Sequence, residues 1–163
     1  SAHGVFGVAN RNSPGQIVVS GERTAIEAAV EIGKELGAKR VLVLPVSVAA
    51  HSPLMADAAA GMRSVLETVP IQDPVVPMLA NADARPITTA DGVRTELVEH
   101  LTAGVDWVAA VEAMTAAGVD TFVEVGPGKV LTNLIKRIAP DATAIALDDA
   151  DALERLVAIA TPT

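Results

Sequence analysis

Short runs of β-branched and apolar residues alternate along this chain with stretches whose apolar positions recur at helical spacing. Residues 16–20 (Gln-Ile-Val-Val-Ser), 40–46, 121–125 and 143–147 read as strands. Between the first two, residues 22–36 place Ile26, Ala29, Val30, Gly33 and Leu36 on one stripe that stops at Gly37, so residues 16–46 form a β-α-β unit. Helical spacing also predicts helices over residues 54–69, 92–101, 106–117, 129–138 and 150–159. Asp106 is placed as the N-cap of the third of these. Residues 73–79 are broken by prolines and suit an extended sheet edge, residues 81–90 are turn chemistry, and the residues ahead of Ser13 follow neither period. Strands and helices in alternation predict an α/β fold with a largely parallel sheet.

Composition narrows the function. The chain has 163 residues, enough for one real core. A net charge of −8 argues against a broad nucleic-acid surface, because phosphate binding needs a basic face. Cysteine is absent, which excludes disulfides, iron–sulfur clusters and thiolate zinc and is consistent with a reducing, cytoplasmic compartment. The apolar runs are too short for a membrane helix, and no signal segment opens the sequence. The chain begins at Ser1 without a secondary-structure element, which reads as part of a longer polypeptide or a processed product. Two basic pairs, Lys39-Arg40 and Lys136-Arg137, stand out from the acidic background as solvated charges or as docks for a phosphate or an acidic partner.

His51 is the main candidate for chemistry. It follows the apolar run 41–48, where a strand runs out and α/β proteins build their sites. An imidazole there is either a hydrogen-bonded structural residue or a general base. It has no evident nucleophile, since no serine lies in a Gly-x-Ser-x-Gly elbow. His3 and His100 form no metal-ligand spacing with it, so no metal site is expected. The turn Gly126-Pro-Gly128 before Lys129 fails the phosphate-loop spacing and reads as a sharp turn ahead of a helix. Asn10, Asn12 and Gln16 gather amides around the Ser13-Pro14-Gly15 turn, and amides suit a carbonyl or carboxylate substrate.

Three segments occur in order: Asn10-Arg-Asn-Ser-Pro-Gly-Gln-Ile-Val-Val-Ser-Gly21, Leu44-Pro-Val-Ser-Val-Ala-Ala-His-Ser-Pro-Leu-Met55 and Glu124-Val-Gly-Pro-Gly-Lys-Val-Leu-Thr132. Together with the isolated Trp107 they resemble the C-terminal half of malonyl-CoA:acyl carrier protein transacylases, from Asn10 to the closing helix. The resemblance implies an α/β-hydrolase-like large subdomain with a ferredoxin-like small one inserted. Residues 1–48 would belong to the small subdomain and residues 49–163 to the C-terminal part of the large one.

By the same resemblance, His51 is the base of a Ser–His pair and the backbone carbonyl at His100 orients its ring. The family often has glutamine at that position. Asn10, Asn12 and Gln16 would line the acyl pocket entrance. Lys39, Arg40, Lys136 and Arg137 would meet the carrier protein or the phosphates of coenzyme A. Ala50 stands where related polyketide enzymes select acyl size. The family's serine lies in a Gly-His-Ser-x-Gly elbow, and an arginine downstream of it holds the malonyl carboxylate. This sequence contains neither, so an N-terminal half carrying them is an expected partner beside acyl carrier protein. Malonyl-CoA enters as substrate, with no resident cofactor. A carrier-protein-binding remnant without chemistry and a Ser–His hydrolase are the alternatives.

Overall fold

The computed structural model describes residues 4–148 together with Asp151, Glu154, Leu156 and Val157. Those last four are helical, and the rest of the expected closing helix lies outside the described residues. The chain divides into two compact units: Ser1–Asn12 with Gln16–Trp107, and Ser13–Gly15 with Val108–Thr163.

In the first unit, β1 (Phe6–Ser13) is central in a three-stranded sheet, between β2 (Gln16–Gly21) and the two-residue β5 (Val105–Asp106). A Pro14-Gly15 turn links β1 to β2, a connection that only antiparallel neighbours allow. β1 and β5 are parallel, with Asn10 opposite Val105 and Arg11 opposite Asp106. Gly104 makes this approach feasible, since a Cβ there would lie 2.7 Å from the Val8 carbonyl oxygen. Helix α1 (Arg23–Glu35) follows β2. A single 3₁₀ turn, Pro53–Met55, then leads into α2 (Ala56–Leu66). After the antiparallel pair β3 (Met78–Leu79) and β4 (Pro86–Ile87) comes α3 (Ala90–Glu99).

Helices α2 and α3 share a small apolar core of Ala59, Leu66 and Val98, flanked by Met62, Ile71, Leu97 and Leu101. Polar bonds fix its ends. The Arg94 guanidinium donates to the carbonyls of Leu66 and Val69, where α2 runs out of its own donors. Asp73 Oδ1 accepts the Ala90 N–H at 2.7 Å where α3 begins.

The second unit holds most of α4 (Trp107–Ala116), then β6 (Thr121–Val125), α5 (Val130–Ile138) and β7 (Thr143–Leu147). β6 and β7 pair in parallel over five residues, from Thr121 opposite Thr143 to Val125 opposite Leu147. The β6–α5 turn has Gly126 at φ 138° and Gly128 at φ 96°, a region closed to most side chains. No helix among the described residues is long and apolar enough to cross a membrane.

Three sequence expectations are corrected. Residues 40–46 do not form a strand, so the β-α-β unit is not completed. The segment has no ladder partner among the described residues, and Leu42, Val43 and Val46 are 59%, 69% and 68% exposed. Apolar content alone cannot make a strand without a neighbour to take its N–H and C=O groups. Among the described residues the largely parallel sheet is replaced by three small sheets, two with parallel pairs and one antiparallel. Conversely, Phe6–Ser13 is a strand despite its glycine, alanine and asparagines. Its neighbours β2 and β5 override its weak propensity.

Glu124 ties β6 to α5. Its carboxylate accepts the Thr132 N–H at 2.8 Å, the Thr132 hydroxyl at 2.7 Å and the Leu131 N–H at 3.0 Å. These bonds, led by the Thr132 N–H, hold its pKa below the ordinary carboxylate value against a smaller opposing effect of burial. A depressed folded pKa stabilises the fold above the unfolded value and loses that contribution as pH falls through the folded one. Glu124→Gln is therefore expected to lower the urea midpoint at pH 7, with the gap to the native chain closing as pH drops below 4.5. A gap unchanged from pH 7 to pH 3 would refute this.

Candidate active site

The site is built at the C-terminal end of α3. The helix starts at Thr89, whose Oγ1 accepts the Gly92 N–H at 3.1 Å, and its C-cap is His100. The last carbonyls of a helix have no donor from the following turn. Here they and the turn beyond receive residues 51 and 101–103. The Leu101 carbonyl accepts the His51 N–H at 3.1 Å. The His51 ring meets two more, with Nδ1 2.7 Å from the His100 oxygen and 3.2 Å from the Ala103 oxygen. Carbonyl oxygens only accept, so Nδ1 carries the hydrogen and Nε2 is left as the proton-accepting nitrogen.

His51 does not end a strand, as the sequence suggested. It sits half-buried in the loop before the 3₁₀ turn, at φ 58°. That left-handed conformation is costly for a residue with a Cβ, by about 1–3 kcal/mol, and persists only where surrounding bonds impose it. Ser52, 1% exposed, supplies two of them. Its hydroxyl donates to the Ala49 carbonyl at 2.7 Å and accepts the Leu54 N–H at 3.3 Å. The His100 ring lies 6.2 Å from the His51 ring, and its Nδ1 is 3.0 Å from the Glu96 carbonyl oxygen.

Glu96 anchors the same end of α3. Only 7% exposed, its Oε1 accepts both the backbone N–H of Asn81 at 2.8 Å and its side-chain amide at 2.9 Å. The Asn81 carbonyl in turn accepts the Asp106 N–H of β5 at 2.7 Å. The Asp106 carboxylate pairs with Arg11 Nη1 at 2.9 Å, alongside the β1–β5 register. Trp107 opens α4 with its indole N–H buried and without a hydrogen-bond partner among the described residues.

The remaining candidates are dispersed. Asn10 and Asn12 are two apart on β1 and so share a face, while Gln16 begins β2 beyond the turn. Lys39 and Arg40 are exposed on the loop after α1. Lys136 lines a cleft of about 200 Å³ with Lys129, Thr132 and residues 144–146, in which Lys129 pairs with Asp148 at 3.2 Å. Arg137 Nη2 donates to the Pro14 carbonyl at 3.4 Å. Sequence reasoning missed Ser52, although Ser-Pro before an apolar run is a helix-start signal. It missed Glu96 and Asn81 for a better reason: an acid in a mixed helix and an asparagine in a turn look solvated.

Residues 4–150 match the model of the acyl transferase domain. The chain belongs to the acyl transferase domain family. The chain is 44% identical over 145 residues to the malonyl CoA-acyl carrier protein transacylase of Haemophilus influenzae, covering 89% of the chain and 46% of that protein. Among solved structures, it is similar to the acyl-carrier-protein S-malonyltransferase of Burkholderia pseudomallei 1710b. The TM-score is 0.94 at 36% identity, over 97% of the chain and 52% of that structure. A malonyl-transacylase solved in complex with its type II PKS acyl-carrier protein gives 0.92 at 39% identity, over 96% and 50%. The chain thus spans about half the length of the curated relatives it matches.

Glu96→Ala is expected to destabilise the first unit by about 1–3 kcal/mol, because it strands the half-buried Asn81 N–H. Glu96→Gln keeps an acceptor oxygen and should cost less. Equal urea midpoints for the native chain and Glu96→Ala would show that Asn81 finds another acceptor.

Proposed function

We propose that this chain is the base-bearing half of a malonyl-CoA:acyl carrier protein transacylase acting in cytoplasmic fatty acid or polyketide synthesis. The observation that carries the reading is the imidazole of His51, fixed through Nδ1 on main-chain carbonyls with Nε2 left to move a proton. Nε2 takes the proton of a serine hydroxyl supplied by the N-terminal half of the enzyme. The serine oxygen attacks the malonyl thioester carbonyl, the C–S bond breaks, and the coenzyme A thiolate receives the proton. The phosphopantetheine thiol of acyl carrier protein then gives His51 its proton and attacks the acyl-serine. Breaking the ester bond returns the proton to the serine.

In this reading the His100 carbonyl does the orienting that a third triad carboxylate does elsewhere. Asn10, Asn12 and Gln16 line the entrance to the acyl pocket. Residues 1–48 belong to a ferredoxin-like small subdomain and residues 49–163 to an α/β-hydrolase-like large one. Within this chain the compact units divide at Trp107 and Val108, with Ser13–Gly15 joining the second. The exposed apolar run at Leu42, Val43, Leu44 and Val46 supports an N-terminal half that pairs with it, since such a run is suited to a buried parallel strand. Lys39, Arg40, Lys136 and Arg137 receive the acidic carrier protein or the phosphates of coenzyme A.

Intact mass measurement after incubation with malonyl-CoA tests the reading. The chain alone should gain no acyl group. The chain with an N-terminal half bearing Gly-His-Ser-x-Gly should gain one malonyl group, which leaves when carrier protein is added. An adduct on the chain alone would overturn the division of labour. None in the complex would leave a binding remnant, and loss to water without carrier protein would mark a hydrolase. His51→Ala in the complex should cut transfer by about 10³–10⁶-fold, as triad losses do. Near-native turnover would remove His51 from the chemistry.

Reversing the charges of Lys39 and Arg40 to glutamate should raise KM for the carrier protein or malonyl-CoA and flatten its dependence on salt. If KM and its salt dependence both stay put, the pair is solvated charge.

A further inference from the structure

We propose that Ser52 is a positioning residue that imposes the left-handed backbone on His51 and so sets the ring on the α3 carbonyls. The hydroxyl spans the histidine from both sides. It donates to Ala49, two residues before His51, and accepts from Leu54, three residues after it. A serine hydroxyl has one hydrogen, and here the structure spends it within the loop. The Ser52 carbonyl also accepts the Met55 N–H at 3.0 Å, and Pro53 follows at the first position of the 3₁₀ turn. The loop is therefore closed tightly around residue 51.

Three carbonyls on the other side complete the constraint. The His51 N–H is held by Leu101 and its Nδ1 by His100 and Ala103. Backbone and ring can reach these neighbouring acceptors together only if the chain turns sharply at residue 51, which a φ of 58° provides. In an extended conformation, the one a histidine prefers, the ring would point elsewhere. Ser52 is 1% exposed, and without its hydroxyl the Ala49 oxygen and the Leu54 N–H lose the partner that ties them together across residue 51. The chain then relaxes from the strained conformation, and Nδ1 leaves the carbonyls that fix its tautomer.

The kinetic arm of the test rests on the acyl-transfer reading, whereas the spectroscopic arm does not. Ring ¹⁵N signals of His51 are recorded at a pH where the ring is neutral, in the protein carrying Ser52 and in Ser52→Ala. The native ring should show one protonated and one bare nitrogen, widely separated. In Ser52→Ala the two signals should move towards each other as the tautomers interchange. In the completed enzyme kcat should fall at least tenfold, with KM for malonyl-CoA changing less than threefold. Ser52→Thr keeps the hydroxyl on a backbone already extended, at φ −140° and ψ 162°, and should recover most of both signals. If Ser52→Ala does not fold, Ser52→Cys replaces it, with a weak donor of similar shape and a partial shift expected. Native ring signals and native kcat in folded Ser52→Ala, or in Ser52→Cys where that variant stands in, would overturn the proposal. A His51→Ala enzyme that still turns over would overturn the acyl-transfer reading instead, and the ring signals would still decide the role of Ser52.

Discussion

An imidazole with a hydrogen on the wrong nitrogen is not a base towards its target, and rotation of the ring misdirects even the right one. The open carbonyls at the end of α3 remove both freedoms of His51 together. Two oxygens that can only accept take the Nδ1 hydrogen, and a third holds the backbone N–H of the same residue. The rest of the first unit can be read as the means of keeping that helix end in place. Thr89 and Asp73 fix where α3 starts, Glu96 fixes its last turn to Asn81 and β5, and Arg94 joins its middle to the end of α2. A helix end offers several acceptors at once, so a ring seated there needs no carboxylate to orient it.

Main-chain orientation also explains what was legible in the sequence and what was not. A carbonyl belongs to every residue, so its use leaves no compositional trace. His100 could be placed only through the family resemblance, which aligns it with a position often occupied by glutamine. Either side chain leaves the same oxygen in the same place. The strands at Gln16, Thr121 and Thr143 and the amphipathic helices follow from periodicity, because each finds its pairing or packing neighbour within this chain. Element ends shifted by a few residues where a Thr, Asp or Glu side chain, and not the apolar stripe, sets the boundary. Ser52 lay within a readable Ser-Pro start signal, but that signal speaks of a helix and not of the histidine before it.

The segment after Lys39 shows the opposite failure. Its run of valine and leucine is a sound description of a buried parallel strand, yet Leu42, Val43 and Val46 stand mostly in solvent. Local preference supplies a conformation, and only a neighbouring strand supplies the hydrogen bonds that make it a ladder. β1 is the complementary case, a poor strand by composition that is held because β2 and β5 flank it. Both outcomes have one cause: pairing is a property of two segments, and a sequence read one segment at a time cannot register it.

The acidity of the chain has a similar double meaning. Read as composition, 20 aspartates and glutamates against 12 lysines and arginines describe a solvated surface that repels nucleic acid. In the structure several of these acids accept backbone N–H groups. Glu22 takes that of Val5, Asp73 that of Ala90, Glu96 that of Asn81, and Glu124 those of Leu131 and Thr132. Among the described residues two of the three sheets hold only two strands, and β3, β4 and β5 are two residues long, so ladders bind few of the backbone donors. Carboxylates, the strongest acceptors a side chain offers, take over at the points where helices begin or loops return to the core. A chain built this way depends on its acids for architecture more than for charge, which is why neutralising one of them should be felt in folding before it is felt in binding.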